Sequence, residues 1–234
     1  METATILVVC TGNVRRSPAI EAMLREGVGQ IGGLARHGIT VISAGSEALE
    51  GYDMDPMIAS EVALAGVRLT RHQAYPLDVG DIESADLIIT AERSHRSEVA
   101  RLVPSAVKRT FTLIEIAALG DLLGRTALGG HGGSEADAAT RLRTLVQLAP
   151  LEKARRRVRR PADDDLQDLR KRSPREARRL VTEARGHVEA LLRVLEPSLS
   201  LVAKPQRPAP AIPSPAPPAE STQPRSTHST RSAG

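Results

Sequence analysis

The chain has 234 residues, 32 basic and 28 acidic, for a net charge of +4, with 41% hydrophobic and 26% charged residues, which fits a soluble globular protein of one ordinary domain with accessories or at most two small domains. A single cysteine, Cys10, excludes an intramolecular disulfide and a cysteine-built zinc site, and the lack of any apolar run of about 18 residues argues against a membrane span. Four basic residues after residue 203 face Glu220 alone, so most of the excess charge sits in a tail, which weakens any argument for nucleic-acid binding.

The first ten residues lack a basic region, and their apolar run is too short for a signal peptide, so a cytoplasmic setting is expected. Ile6 to Val9 is an unbroken run of branched aliphatic residues, which predicts a strand buried on both faces of a parallel sheet. Thr11 to Ser17 is polar and contains Gly12 and Asn13, both suited to positive φ, so it reads as a tight loop. Ser17-Pro18 looks like an N-cap and first helical residue, with Ile20, Met23, Leu24 and Val28 at helical spacing. Ile39 to Ile42 predicts a second strand, and Asp55-Pro56 opens a helix that Gly66 would close. Asp86 to Thr90 predicts a third strand, Glu92 to Val103 a helix ended by Pro104, and Arg109 to Leu113 a fourth strand running into a helix near Glu115.

Residues 129–133 read as a flexible linker, 136–149 as a further helix, Lys153 to Arg160 as a basic run and Pro161 to Arg172 as a charged loop. Ser173-Pro174-Arg175-Glu176 is a capping box before a helix whose apolar residues, from Ala177 to Leu195, keep a 3.6-residue period. From about Lys204 the chain is rich in Pro, Ala, Ser and Thr and is expected to be disordered. Alternating strands and helices argue for a parallel sheet with helices on both faces.

The chemistry concentrates at the first loop. A thiol is a good nucleophile only as a thiolate. Cys10 stands where a strand ends before a helix N-terminus, a place that gathers backbone N–H groups able to hold both a thiolate and a phosphate. Arg16, six positions on, can grip two phosphoryl oxygens with its fork, and Ser17 can donate a hydrogen bond to the sulfur. The blander reading is a buried cysteine at the end of a core strand.

Val9-Cys10-Thr11-Gly12-Asn13-Val14-Arg15-Arg16-Ser17-Pro18 resembles the signature of the low-molecular-weight protein tyrosine phosphatase family. Ser43-Ala44-Gly45, His72, Ala85-Asp86-Leu87-Ile88 and Phe111-Thr112-Leu113 near Glu115 follow in family order. The resemblance covers roughly residues 5 to 195 and is interrupted by an extra segment at about 120–160. It implies a three-layer α/β fold, a four-stranded parallel sheet with helices on both faces. The domain boundaries expected from it are a phosphatase domain over residues 1–196 and a disordered tail over 197–234. The activity implied is that of a cytoplasmic protein-tyrosine-phosphatase acting on phosphotyrosine proteins through a phosphocysteine, without metal or other cofactor, and taking inorganic phosphate or vanadate as ligand.

The resemblance assigns Cys10, Arg16 and Asp168 to catalysis and Thr11, Gly12, Asn13, Val14, Arg15 and Ser17 to substrate binding, with Ser43 and His72 supporting the loop through Asn13. Asp168 lies five residues before the last helix cap, where the family carries its general acid; Asp165 is the fallback, and a solvated acidic loop is the plain alternative. Leu169 replaces the family's usual proline, and Arg170 the aromatic residue that often follows. Arg15 replaces a second cysteine that protects the nucleophile in many members, and is expected to point to water. Val14 stands where members acting on phosphoarginine tend to carry threonine, which favours an aryl phosphate.

His95, His131 and His187 show no metal spacing and read as surface residues; Tyr52 and Tyr75 carry no signal beyond that of any tyrosine. The basic run reads as a solvated face, since no aromatic residues interleave to stack bases. Two rival functions remain open: an arsenate reductase using an external thiol, and a phosphate-binding module in which Leu169 and Arg170 mark lost catalysis.

Overall fold

The computed structural model describes residues 3–30, 38–126, 138–156 and 160–196. The expectations for residues 129–133, His131, the 157–159 part of the basic run and the 197–234 tail lie outside them.

Strand β1 (Ala4–Cys10) is central, and its seven residues supply both faces of the core. Ala4, Ile6 and Val8 turn to one side and Leu7 and Val9 to the other, as the two-residue period of a strand requires. All five are fully buried. Ile6, Leu7, Val8 and Val9 each contribute about 1.5–3 kcal/mol, which is why this segment is apolar without alternation.

β1 pairs in parallel with β2 (Ile39–Gly45) on one side and β3 (Leu87–Thr90) on the other, and β3 pairs with β4 (Thr110–Thr112). The strand order is therefore β2-β1-β3-β4. The chain leaves β1 for one neighbour and later returns to the other, so β1 is the switch point of the sheet. The crevice beyond its carboxyl end, at Cys10, is where ligands bind in open parallel sheets.

One layer holds α1 (Arg16–Gln30), α2 (Pro56–Leu64), α5 (Leu113–Thr126), α6 (Ala138–Arg155) and α7 (Pro174–Leu195). The other holds α3 (Val79–Ser84), α4 (Arg93–Leu102) and a 3-10 turn, Pro104–Arg109. The expected three-layer architecture with four parallel strands is the observed one.

Several boundaries differ from the sequence reading. α1 begins at Arg16, so Ser17 lies inside the first turn and its hydroxyl is not a cap. α3 was not anticipated; Asp78 caps it by accepting from Asp81 N, and a single turn is too short for periodicity to show. Pro104 ends α4 but also opens the 3-10 turn. α6 is longer than the predicted 136–149 helix at its C-terminus and carries Pro150 inside it. Ser173 caps α7 as expected, but Glu176 accepts from Lys171 N rather than from the cap residue, so the box closes onto the preceding loop. Ala177, Leu180, Val181, Ala184, Val188, Leu191, Leu192 and Leu195, the apolar face read from the sequence of α7, are all buried.

Candidate active site

The loop after β1 is fastened by its carbonyl groups. Cys10 O accepts from Ser46 N (2.9 Å), Thr11 O from Glu47 N (2.9 Å), Gly12 O from Leu49 N (3.0 Å) and Val14 O from Asp55 N (2.8 Å). Asn13 O accepts from His72 Nε2 at 2.7 Å. Five successive carbonyls are thus held by groups outside the loop. In a trans peptide the following N–H points the opposite way, and no peptide bond here is cis. The N–H groups of Thr11 to Arg15 therefore turn inward, and none has an acceptor among the described residues.

Gly45 makes this fastening possible. A Cβ there would come within 2.5 Å of Thr11 O, so the β2 end approaches the loop backbone closely only as glycine. Asn13 takes the left-handed conformation expected of it, with φ 53°. Gly12 does not: its φ is not positive, and a Cβ there would meet only Leu49 and Val14 at ordinary contact distances, so the turn is carried by Asn13 alone.

Asn13 is fully buried and is the hub of the site. Its Nδ2 donates to Ser17 Oγ and Ser43 Oγ, both at 2.9 Å, and its Oδ1 accepts from Tyr75 N at 3.1 Å. The Ser43 hydroxyl in turn donates a hydrogen bond to Glu21 Oε2 at 2.6 Å. Since Ser17 Oγ accepts from Asn13, its hydrogen is left for Cys10 Sγ, 2.9 Å away. The roles expected for Ser43 and His72 toward Asn13 thus have direct contacts beneath them, and Glu21, which no motif marked, terminates the chain.

Arg16 lies behind the loop, 4% exposed. It pairs with Glu92, sends Nη1 toward Leu166 O (3.4 Å) and Nη2 toward Thr11 Oγ1 (3.4 Å). Its Nε is buried without an acceptor among the described residues. Asp168 Oδ2 lies 3.4 Å from Arg16 Nη2, and Asp168 Oδ1 lies 3.7 Å from Arg15 Nη1. Arg15 does not point to water as expected: its Nε donates to the buried Asp55 at 3.2 Å, and Asp55 also pairs with Arg172 at 3.0 Å.

Four aspartates crowd the 161–172 loop, and their partners separate them. Asp163 accepts from Arg160 N, Asp164 is buried against Arg156, and Asp165 accepts from both the backbone N and the guanidinium of Arg93. Asp168 alone faces the Cys10 loop, with Oδ1 accepting from Leu169 N at 2.7 Å. Asp165, the fallback acid, is committed to Arg93.

His95 corrects the sequence reading most clearly. It is 4% exposed, not a surface residue. Glu92 N donates to His95 Nδ1 (3.1 Å), so the ring proton sits on Nε2 and is donated to Thr11 Oγ1 at 2.9 Å. Burial and the neighbouring Arg16 charge both lower its affinity for a second proton. Glu92 and His95, three residues apart at a helix start, carry the one signal that would have found them: a reciprocal capping pair.

The low molecular weight phosphotyrosine protein phosphatase family model matches residues 5–118. Over 112 residues the chain is 38% identical to the probable low molecular weight protein-tyrosine-phosphatase EpsP of Ralstonia solanacearum, covering 48% of this chain and 72% of that protein. Two solved structures share the fold: the YwlE arginine phosphatase of Geobacillus stearothermophilus (TM-score 0.57, 21% identity, 83% of this chain and 94% of that one) and the tyrosine phosphatase AmsI of Erwinia amylovora (TM-score 0.56, 21% identity, 83% and 94%).

Proposed function

The chain belongs to the low molecular weight protein-tyrosine-phosphatase family, and from that premise we propose that it hydrolyses phosphotyrosine monoesters through a phosphocysteine. One observation carries the reading: the inward-facing, unpartnered N–H groups of Thr11 to Arg15, followed in the chain by the buried free Nε of Arg16, form a ready cradle for a phosphoryl group at the nucleophile.

The steps follow from the contacts. The Cys10 thiolate attacks phosphorus as the bond to the tyrosine oxygen breaks. Arg16 and the loop amides hold the three equatorial oxygens, where charge accumulates. Asp168, which faces the loop beside Arg16, gives its proton to the departing phenolate. Asp168 then takes a proton from water, whose oxygen attacks the phosphocysteine. The P–S bond breaks, and the leaving thiolate is met by the Ser17 hydroxyl.

The substrate is a phosphoprotein, and phosphotyrosine is favoured over phosphoarginine by Val14, which lacks a hydroxyl to engage a guanidine. Among the described residues no helix is long and apolar enough to cross a membrane, and we place the enzyme in the cytoplasm. Phosphate and vanadate should bind at the same loop. The proposed domain spans residues 1–196.

Hydrolysis of phenyl phosphate by wild type, C10S and D168A tests the reading. C10S should be inert, and D168A should lose on the order of 10²–10⁴-fold from the missing acid and base. Wild type that binds vanadate without turnover would overturn it in favour of a binding module, and arsenate-dependent consumption of an added thiol would favour the reductase.

A further inference from the structure

Helix α6 lies beyond residue 118, where the family match ends, and nothing in the mechanism above uses it. Its contacts are nevertheless directed. Near its start, Arg143 reaches Asp86 and Thr3 O at the amino end of the sheet. Near its end, Lys153 pairs with the buried Glu115 at 2.9 Å and lies 5.4 Å from the centre of the Phe111 ring. Glu115 also holds Arg96 of α4 at 3.2 Å. The last turn of α6 is therefore pinned to α4, α5 and β4 together.

The next residue past the helix, Arg156, extends to Asp164. Nη1 donates to Oδ2 at 2.9 Å, and Nη2 makes a charge contact with Oδ1 at 2.8 Å, with Asp164 only 5% exposed. Asp164 opens the acid loop. Asp165 is then held by Arg93, Leu166 N donates to Ala91 O at 2.8 Å, and Leu166 O receives Arg16 Nη1. Two residues later comes Asp168, the one loop carboxylate that faces the nucleophile. From the pinned helix to the acid, every step is a charged or backbone contact.

We propose that α6 is a clamp for the general acid, and that Arg156 is a positioning residue that sets Asp168 through Asp164. This rests on Asp168 acting as the acid. A buried, paired carboxylate is fixed in place, whereas Asp168, with 38% of its side chain exposed, has beyond the bond from the adjacent Leu169 N only long contacts to Arg15 and Arg16. Its position is therefore inherited from the anchored residues before it. Within the basic run, Lys153 and Arg156 attach the clamp by pairing with Glu115 and Asp164 on other elements, while Arg155 pairs with Glu152 inside α6.

The test separates positioning from general structural support by leaving-group dependence. A poor leaving group such as phenolate needs the acid, and 2,4-dinitrophenolate does not. R156Q and D164N should each lose about tenfold in kcat on phenyl phosphate and less than about twofold on 2,4-dinitrophenyl phosphate, because a displaced acid costs only the step that uses it. Adding D168N to R156Q should give no loss beyond D168N alone. Thermal unfolding is followed on each protein, and R156K, which keeps the charge but not the fork, is read for the same selective loss should R156Q not fold. Equal losses on both substrates, or wild-type rates on both, would overturn the clamp while leaving the phosphatase intact. If D168N itself shows no leaving-group dependence in an active enzyme, Asp168 is not the acid and the clamp falls with that assignment.

Discussion

The two loops that meet at Arg16 are held by opposite means. The Cys10 loop is fixed by a buried network of mostly neutral hydrogen bonds centred on Asn13, with Glu21 as its one charged end. The acid loop is fixed by ion pairs to Arg93, Arg156 and Arg16, several of them partly open to water. Neutral buried bonds fix geometry and are indifferent to salt; ion pairs near the surface are adjustable and screened. The phosphate cradle must keep one shape through the reaction. The acid must accept, give and regain a proton, so a softer mounting suits it.

Arg16 belongs to both loops, and breaking it should have the largest effect. R16K keeps the charge but loses the fork, and kcat should fall on the order of 10³-fold, as for other arginines that clamp a transferring phosphoryl group. Steady-state rates on phenyl phosphate check this, with an unchanged unfolding transition showing that the fold survives. A residual rate within tenfold of wild type would mean that the loop amides bear the charge without it.

N13A attacks the neutral loop alone. It removes three buried side-chain bonds and puts alanine at φ 53°, at a combined cost of about 3 kcal/mol. N13G removes the same bonds without the backbone strain and should recover about 1 kcal/mol of that. R93Q attacks the charged loop and should destabilise less. Unfolding at 0.1 and 1 M salt sharpens the contrast, since the screening length falls from about 10 to about 3 Å. The R93Q penalty should shrink and the N13A penalty should not. Equal salt dependence would dissolve the distinction between the loops.

The same division explains what could be read from the sequence. Cys10, Asn13, Arg16 and Ser17 sit in one contiguous segment at fixed spacing, so their joint role is local and visible. The strand–helix order and the period of α7 are local too, and they carried the fold. Glu92 and His95 meet the loop across 76 and 84 residues, a relation that only packing creates. Ser17 was legible as an N-cap because Ser-Pro commonly is one; the helix instead starts two residues before Pro18, at Arg16, and the hydroxyl goes to Cys10 and Asn13. Asp168 was picked by its distance to the next cap, but only partners distinguish it from the three aspartates beside it. Arg156 and Asp164 lay in plain view as a basic run facing an acidic one, and runs of either sign are usually solvated.

The smallest effect expected concerns His95, the titratable ring that meets the neutral loop at Thr11. The groups around it are Arg16, Glu92, Asp165 and Asp168, and burial with the Arg16 charge outweighs the carboxylates in lowering its proton affinity below the usual value near 6.5. The unfolded chain therefore takes up the proton first as pH falls. Stability from this residue is complete above the ordinary imidazole range, is lost as pH drops through it, and stops falling once the folded ring is also protonated. Protonation of Nδ1 would break the bond from Glu92 N and place a second cation beside Arg16, so the decline should be accompanied by weaker seating of Thr11. H95Q, whose side-chain amide reaches the place of the ring Nε2, can still bond Thr11 but does not titrate. Its unfolding midpoint should decline less than that of wild type between pH 7 and pH 5, and its vanadate affinity should be close to wild type at pH 7. A parallel decline in both proteins would show that His95 is not the residue through which acid reaches the phosphate loop.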